Sequence, residues 1–451
     1  MDPLNIILIT TSILWLFAFG AFGIISLRER EKRAAMISLA ISISGALLLY
    51  WGSSLPANAQ FSLVIIIAIL LLIVVILFLL PIGRVAMSDD TPLSRFDERD
   101  IMFARARLLP GSPQYETYYQ MRPENREIDD KIRAKAGLLS PNAQLANPYL
   151  FASPEGSFWL TENLREAVDG PVSERRYQLS TSEMTSFIKH LADYYGALHV
   201  GITELKPYHV YSHIGRGYGT FGAPIPIEHR YAIAFTVEMD SGMMSVSPEA
   251  QVTMESARQY VESARIAVQL AGAIRALGFP ARAHIDGNYR VIAPLVARDA
   301  GLGELGRMGL LMTPSHGPRV RLGVVTTNLD LIPDKRVPSP AVIDFCTICI
   351  KCAENCPSKS IPFDERKEIH GVTRWQINAE TCFHYWNVIG TDCGRCMAVC
   401  PYSHPATLSH NLIRWGNAKS GAFRRFANWM NDLFYGKHPP KREPPKWTKI
   451  S

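Results

Sequence analysis

"FCTICIKCAENCPSKSI" (residues 345–361) carries four of the eight cysteines of a 451-residue chain, and "CFHYWNVIGTDCGRCMAVCPYSHP" (382–405) carries the other four. Cys346, Cys349, Cys352 and Cys356, with Pro357 after them, follow C-x2-C-x2-C-x3-C-P. At that spacing three thiolates reach three corners of one [4Fe–4S] cubane and the fourth points to a second. Cys393, Cys396 and Cys400, followed by Pro401, repeat the C-x2-C-x3-C-P ending. The missing member stands upstream as Cys382. The expected ligand sets are Cys346, Cys349, Cys352 and Cys400 for one cluster, and Cys356, Cys382, Cys393 and Cys396 for the other. Zinc also takes paired C-x2-C units, but it needs neither the staggered third cysteine nor the prolines. Eight thiols for two cubanes leave none over.

The apolar residues gather at the other end of the chain. Ile6 to Leu27, Ala34 to Leu55 and Phe61 to Leu80 contain no charged residue. Each has the ~20 residues that cross a hydrocarbon core. A cleaved signal peptide fits the first poorly, because "MDPLN" lacks the positive charge that such a peptide needs. The first connecting stretch, "REREKRAA" (28–35), has four basic residues and the second, "SSLPANAQ" (53–60), has none. Excess Lys and Arg mark cytoplasmic loops, so a multi-pass anchor in the cell membrane is expected, with everything after Arg84 in the cytoplasm. Thiols stay reduced there, which favours metal over disulfides. A net charge of +6 without a basic stripe gives no ground for a nucleic-acid partner.

Five regions follow: a three-helix membrane anchor (1–84), the start of the soluble part (85–165), a catalytic core (166–340), a bacterial ferredoxin-like two-cluster domain (341–410), and a C-terminal helix with a basic, Pro-rich tail (411–451). "SRFDERDIMFARARL" (94–108) reads as an amphipathic segment close to the membrane. "TSEMTSFIKHLADYYGA" (181–197) has helical spacing, and the stretch 247–278 is a long helix with a Ser-Pro start and a Gly end. "LHVGITEL" (198–205), "RYAIAFTVEM" (230–239), "RVIAPLVA" (290–297) and "RLGVVTTNL" (321–329) are strand candidates. Strands alternating with helices imply an α/β core. "FRRFANWMNDLF" (423–434) puts its apolar residues on one helical face, expected to pack onto the cysteine domain.

The stretches "YYGALHVGITELKPYHVYSH" (194–213), "RYAIAFTVEMD" (230–240) and "DAGLGELGRMGLLMTPSHGPRVRLGVVTTNLDLIPDK" (299–335), with the cysteine run, resemble the corrinoid-dependent reductive dehalogenases. The resemblance runs from about residue 185 to 410 and leaves the N-terminal third uncovered. It implies a cobalamin-type corrinoid bound base-off in a nitroreductase-like α/β core, electrons delivered by two [4Fe–4S] clusters, and an organohalide substrate. Gly301, Gly303 and Gly306 match the dinucleotide pattern G-x-G-x-x-G, but Pro314 follows too soon for the helix this pattern opens. They are read instead as a turn letting backbone approach a large flat ligand.

The family's acid is a tyrosine with a basic residue beside it. Tyr260, in "SARQYVESARIA", matches that position, although the family's Tyr-Ser-x-x-Ala reads Tyr-Val-Glu-Ser-Ala here. Arg319 matches the cation, with Arg321 its near rival, and Asn288 matches a polar residue over the pocket. Tyr208, Tyr211, Tyr218 and Tyr289 are the other possible donors. His213, like His209 and His229, is expected as a hydrogen-bonder at the corrinoid edge or in the core. The chain departs from respiratory members by carrying fused helices and no twin-arginine signal, so it looks like a membrane-tethered, cytoplasm-facing member. Its electron donor is open between a quinol and a low-potential ferredoxin or flavodoxin. The alternatives are an epoxyqueuosine reductase-like enzyme and a membrane-bound electron-transfer protein without corrinoid.

Overall fold

The structure, a computed structural model, describes residues 2–80, 91–336 and 338–450. The expected anchor boundary at 84/85 lies outside them. The chain divides into two compact units, one of residues 1–85 and 406–440, the other of 86–405 and 441–451.

The first unit holds helices α1 (Pro3–Arg28), α2 (Lys32–Gly52) and α3 (Ala57–Leu79). Their mean hydropathies of 2.1, 1.8 and 3.7, and their lengths, are sufficient to cross a membrane. Small and hydroxylic residues let α1 and α2 meet closely, as in membrane helix pairs. Ser12, Ser42 and Ser38 donate to the carbonyls of Ala46, Leu16 and Phe19 at 2.8, 2.8 and 2.6 Å. A Cβ on Gly45 would lie 2.1 Å from Trp15 Nε1.

The C-terminal helices Leu408–Lys419 and Gly421–Tyr435 also belong to this unit, which corrects the expectation that 423–434 packs on the cysteine domain. Phe423 and Trp415 stack on Phe78 at 4.6 and 5.1 Å, and Phe434 meets Phe22 at 5.4 Å. Helix Gly421–Tyr435 packs on α2 and α3, and helix Leu408–Lys419 on α3. His410 Nε2 and Glu29 add a contact at 3.1 Å.

The second unit is built on a four-stranded sheet of β1 (His199–Glu204), β2 (Tyr231–Glu238), β3 (Ala281–His284) and β6 (Val320–Thr327), in the order β1-β2-β6-β3. Every neighbouring pair is antiparallel. The α/β alternation of the sequence is therefore real, but β6 inserts between β2 and β3. The long helix Ala250–Ala276 joins β2 to β3, two strands that share a direction without touching.

One sheet face packs Ile233, Phe235, Val237 and Val325 against that helix. The other packs Ala232, Ala234 and Val324 against helix Ala293–Asp299. That second helix corrects the strand read at 290–297. Pro294 stands in its first turn, where no N–H is needed. β3 went unseen because "ARAH" has neither length nor alternation.

A two-stranded hairpin, β4 (Glu304–Leu305) with β5 (Leu311–Met312), follows the glycine turn. A second hairpin pairs β7 (Lys367–Ile369) with β8 (Val372–Arg374) between the two cysteine runs. Residues 94–108 are built into this second unit. Glu98 is wholly buried and accepts from the backbone N–H of Gly215 and Arg216 at 2.9 and 3.2 Å. Arg105 is buried in a fork on Asp129 at 2.8 and 3.0 Å.

Candidate functional site

The cysteines lie on short helices and the turns between them. Helix Pro340–Cys349 ends at Ile350, whose left-handed φ of 43° turns the chain so that Lys351–Glu354 can start. Cys393 is left-handed as well, at φ 55°. No cysteine is in a disulfide.

Burial raises the Cys352 and Cys400 thiols, and each is raised further by Cys346 and Cys349. Burial likewise raises Cys382 to about 11 and Cys393 to about 12, with Cys356 acting on both. Cys396 is raised by burial, then by Cys393, with Cys352, Cys382 and Cys356 behind. The thiols thus act on one another mainly in the two sets that the spacing suggests. Such thiols ionise only against strong cationic ligands, which fits cluster iron. Among the described residues, no three His, Cys, Asp or Glu side chains close on a single ion.

The glycine turn runs beneath the first set. No helix follows Gly306, as the position of Pro314 implied. Gly301 takes φ 80°, a Cβ on Gly303 would lie 2.3 Å from the Met312 carbonyl oxygen, and one on Gly306 would lie 3.5 Å from Cys346 Sγ. At Gly303 and Gly306 the close approach is thus to protein, and at Gly306 to a cysteine sulfur. His213 is half-exposed, with Ser212 Oγ at 2.9 Å and Asp97 at 3.4 Å.

On the helix-facing side of the sheet, Tyr260 comes from Ala250–Ala276 and Arg321 from β6. Strand alternation puts Arg321, Gly323 and Val325 on this one face. Arg321 Nη1 donates to the Tyr260 hydroxyl at 3.2 Å, and its guanidinium lies 4.1 Å from the ring centroid. Its Nη2 donates to Ser256 Oγ, one helical turn from Tyr260.

Arg319 is not the cation at Tyr260. It precedes β6, is 1% exposed, and bonds Glu238 at 2.7 Å, the Ser403 carbonyl at 2.9 Å and the Met239 carbonyl. The structure therefore brings Arg321, the near rival, into the place expected of Arg319. Asn288 is wholly buried, with its Oδ1 accepting from Arg282 at 3.1 Å and its Nδ2 donating to the Arg165 carbonyl at 3.3 Å.

Burial pushes the Tyr260 phenol up to about 12, against a downward pull from Arg321. Tyr289, nearby, is raised by burial and then by Tyr260. Asp392, next to Cys393, is raised by burial while a bond to Ser256 and the charge of Arg321 oppose it. Tyr260, Tyr289, Arg321 and Asp392 are each partly exposed. Arg321 Nε is buried without a partner. An arginine, two tyrosines and a carboxylic acid gathered next to Cys393 supply the polar groups that a polar cofactor and a small substrate need. Asp392 and Ser256 were missed in the sequence. Only the adjacency of Asp392 to Cys393 could have pointed to them.

A protein-family model described as a 4Fe-4S dicluster domain matches residues 345–404. The tetrachloroethene reductive dehalogenase of Sulfurospirillum multivorans is 32% identical over 267 residues, 52% of this chain and 53% of that protein. The tetrachloroethene reductive dehalogenase of Desulfitobacterium hafniense is 33% identical over 212 residues, 44% of this chain and 38% of that protein. An epoxyqueuosine reductase from Lactococcus garvieae is 33% identical over only 114 residues, 24% of this chain and 31% of that protein.

Among solved structures, the catabolic reductive dehalogenase NpRdhA in complex with 3-bromo-4-hydroxybenzoic acid superposes with TM-score 0.63 at 24% identity, over 80% of this chain and 49% of that one. A reductive dehalogenase described for B12-dependent dehalogenation superposes with TM-score 0.59 at 27% identity, over 68% and 46%. The chain spans about half the length of the curated relatives it matches first. The resemblance to the reductive dehalogenases stands, and so does the two-cluster domain.

Proposed function

We propose that the chain is a membrane-anchored reductive dehalogenase that replaces a carbon-bound halogen by hydrogen and releases halide. The observation that carries this reading is the Tyr260–Arg321 pair, at 3.2 Å, joined through Ser256 to Asp392, the neighbour of Cys393. The cysteines hold two [4Fe–4S] clusters in the sets 346/349/352/400 and 356/382/393/396. A corrinoid would be held beside Tyr260 and Arg321, in a core of the nitroreductase type. When bound, these groups supply two electrons to the carbon–halogen bond.

The chain's residues do the rest. Tyr260 holds a proton on its hydroxyl at every physiological pH, because burial keeps the phenol neutral. It gives that proton to the carbon that loses the halogen, as a positioned general acid. Arg321 keeps the ring oriented and stabilises the phenolate left behind. Asn288 fixes the neighbouring loop through Arg282 and Arg165, and the glycine turn packs against Cys346. The protein that desolvates Tyr260 keeps bulk water from competing for the proton.

The three apolar helices anchor the enzyme in the bilayer. The basic stretch 28–35 places the catalytic part on the cytoplasmic side, within reach of a quinol or a reduced ferredoxin or flavodoxin.

The test is bound metal and halide release measured together. The full chain is purified in detergent after anaerobic expression with cobalamin, then given a low-potential reductant and a panel of organohalides. The reading expects cobalt, about eight irons and halide release that depends on substrate. Cobalt and iron without halide would point to another corrinoid reduction. Iron without cobalt would reduce the protein to an electron conduit.

A further inference from the structure

Arg307 follows Gly306 in the glycine turn and is 2% exposed. Its Nε donates to the Cys346 carbonyl at 3.0 Å, and its Nη1 donates to the carbonyls of Pro362 and Asp364, both at 2.8 Å. Its guanidinium stacks over Trp375 at 4.6 Å, whose own Nε1 bonds the Asp364 carbonyl at 3.0 Å. None of these partners carries a charge. Among the described residues Arg307 makes no ion pair.

A buried cation without a counter-ion is costly enough that proteins avoid it. The anions that act on Arg307 are the thiolates of Cys352, Cys346 and Cys349, with Asp364 behind them. The Asp364 carboxylate is committed elsewhere, to Lys367 at 3.0 Å on the surface. The missing counter-charge therefore has to come from the thiolate set itself.

We infer that Arg307 is the built-in counter-ion of the cluster held by Cys346, Cys349, Cys352 and Cys400, and that it makes this cluster easier to reduce. A [4Fe–4S] centre on four thiolates carries net negative charge, and its one-electron reduction adds one more. A fixed cation beside it stabilises the reduced form over the oxidised one. Burial keeps water and salt from screening that effect. The guanidinium is held by three carbonyls and a ring face, so its position is fixed in both redox states. Arg307 is thus a positioning residue. It touches the protein shell of the cluster and takes no part in bond breaking. The inference rests on the ligand sets proposed above.

The test is a redox titration of the full chain, loaded with its clusters, followed by electron paramagnetic resonance, for wild type, Arg307→Met and Arg307→Lys. The expected result is a more negative midpoint for one cluster in Arg307→Met. We expect at least tenfold in the reduction equilibrium, ~59 mV for one electron, with the other cluster unmoved and Arg307→Lys restoring most of the difference. Equal shifts in both clusters, or none, with about eight irons still bound, would overturn the inference. If Arg307→Met loses one cluster's iron and Arg307→Lys keeps it, charge compensation at assembly is upheld. If both lose it, the guanidinium fork and not its charge matters, and the inference fails. A wild-type protein with iron for only one cluster would instead refute the ligand sets, whatever Arg307 does.

Discussion

The turn that carries Arg307 and the strand that carries Arg321 each bury a guanidinium, and they use it for different purposes. Arg307 spends its donors on carbonyls and leaves its charge to a thiolate set. Arg321 spends its donors on hydroxyls, and its Nε is buried without a partner. On the roles proposed above, one cation acts through its field, the other through contact with Tyr260, the proposed proton donor. The lesson is that burial alone does not define a catalytic arginine. What its hydrogen bonds are spent on does.

The hardest blow to the contact side of this comparison is Tyr260→Phe. Removing the proton donor should cut halide release by ~10²–10⁴-fold, the usual worth of a general acid, while iron, cobalt and cluster spectra stay at wild-type levels. Retention of most activity would exclude Tyr260 as the acid and turn attention to Tyr289, on which Tyr260 acts.

Next comes Arg321→Met against Arg319→Met, two arginines separated by a single residue. Losing Arg321 should lower turnover by ~10²–10³-fold, comparable to losing one preorganised donor. Losing Arg319 should leave turnover per folded molecule nearly unchanged. It should instead lower stability by ~1–3 kcal/mol, because the Met239 and Ser403 carbonyls lose their donor. Turnover and chemical denaturation, measured on both variants, separate the two roles. The comparison breaks if Arg319→Met is the slower enzyme.

A smaller effect concerns pH. Burial lifts Tyr260 from the ordinary tyrosine value near 10 to about 12, so the donor stays protonated well above neutrality. Between pH 7 and pH 9 the rate should show no falling limb from this group. The folded state holds this proton more tightly than the unfolded chain does. Its share of stability is therefore intact below pH ~10 and is lost as pH rises from there toward ~12. A rate that falls with an apparent pKa near 8 would mean the Arg321 field outweighs burial, the reverse of the balance found here.

The legibility of the two regions differed for a physical reason. Cluster ligands must sit on short, nearly contiguous loops, so the spacing of Cys346–Cys356 and Cys393–Cys400 writes the chemistry directly into the sequence. The Tyr260 site is assembled from a helix and a strand 61 residues apart, and only family resemblance could suggest it. Resemblance then pointed to Arg319, with Arg321 only its near rival, whereas Arg321 is the one that meets Tyr260. The choice depended on β6 beginning at Val320 and on which side chain reaches the helix, and neither follows from local pattern. The same limit hid β3, too short to alternate. It also made Arg290–Ala297 look like a strand, because Pro294 opens a helix as readily as it ends one. The helix 423–434 was legible as amphipathic, but its apolar face does not say which apolar surface will cover it.

The finest probe of the field side is a pair of methyl groups. On Gly303 a Cβ would sit 2.3 Å from the Met312 carbonyl oxygen, which is backbone paired in the β4–β5 hairpin. Gly303→Ala must shift that hairpin and should cost ~1–3 kcal/mol. On Gly306 a Cβ meets Met312 Cγ at 2.9 Å and Sδ at 3.2 Å, part of a flexible side chain, and Cys346 Sγ at an ordinary 3.5 Å. Gly306→Ala should therefore fold with a penalty below ~1 kcal/mol, the range of a tolerated small repacking, yet place a methyl group against one cluster thiolate. The expected signature is a changed resonance line shape for one cluster alone, with the other cluster untouched and Arg307 still in place. If both glycines cost the same and neither alters a spectrum, the turn is merely a tight corner, and the nearness of Arg307 to the thiolates is the part of the comparison that gives way.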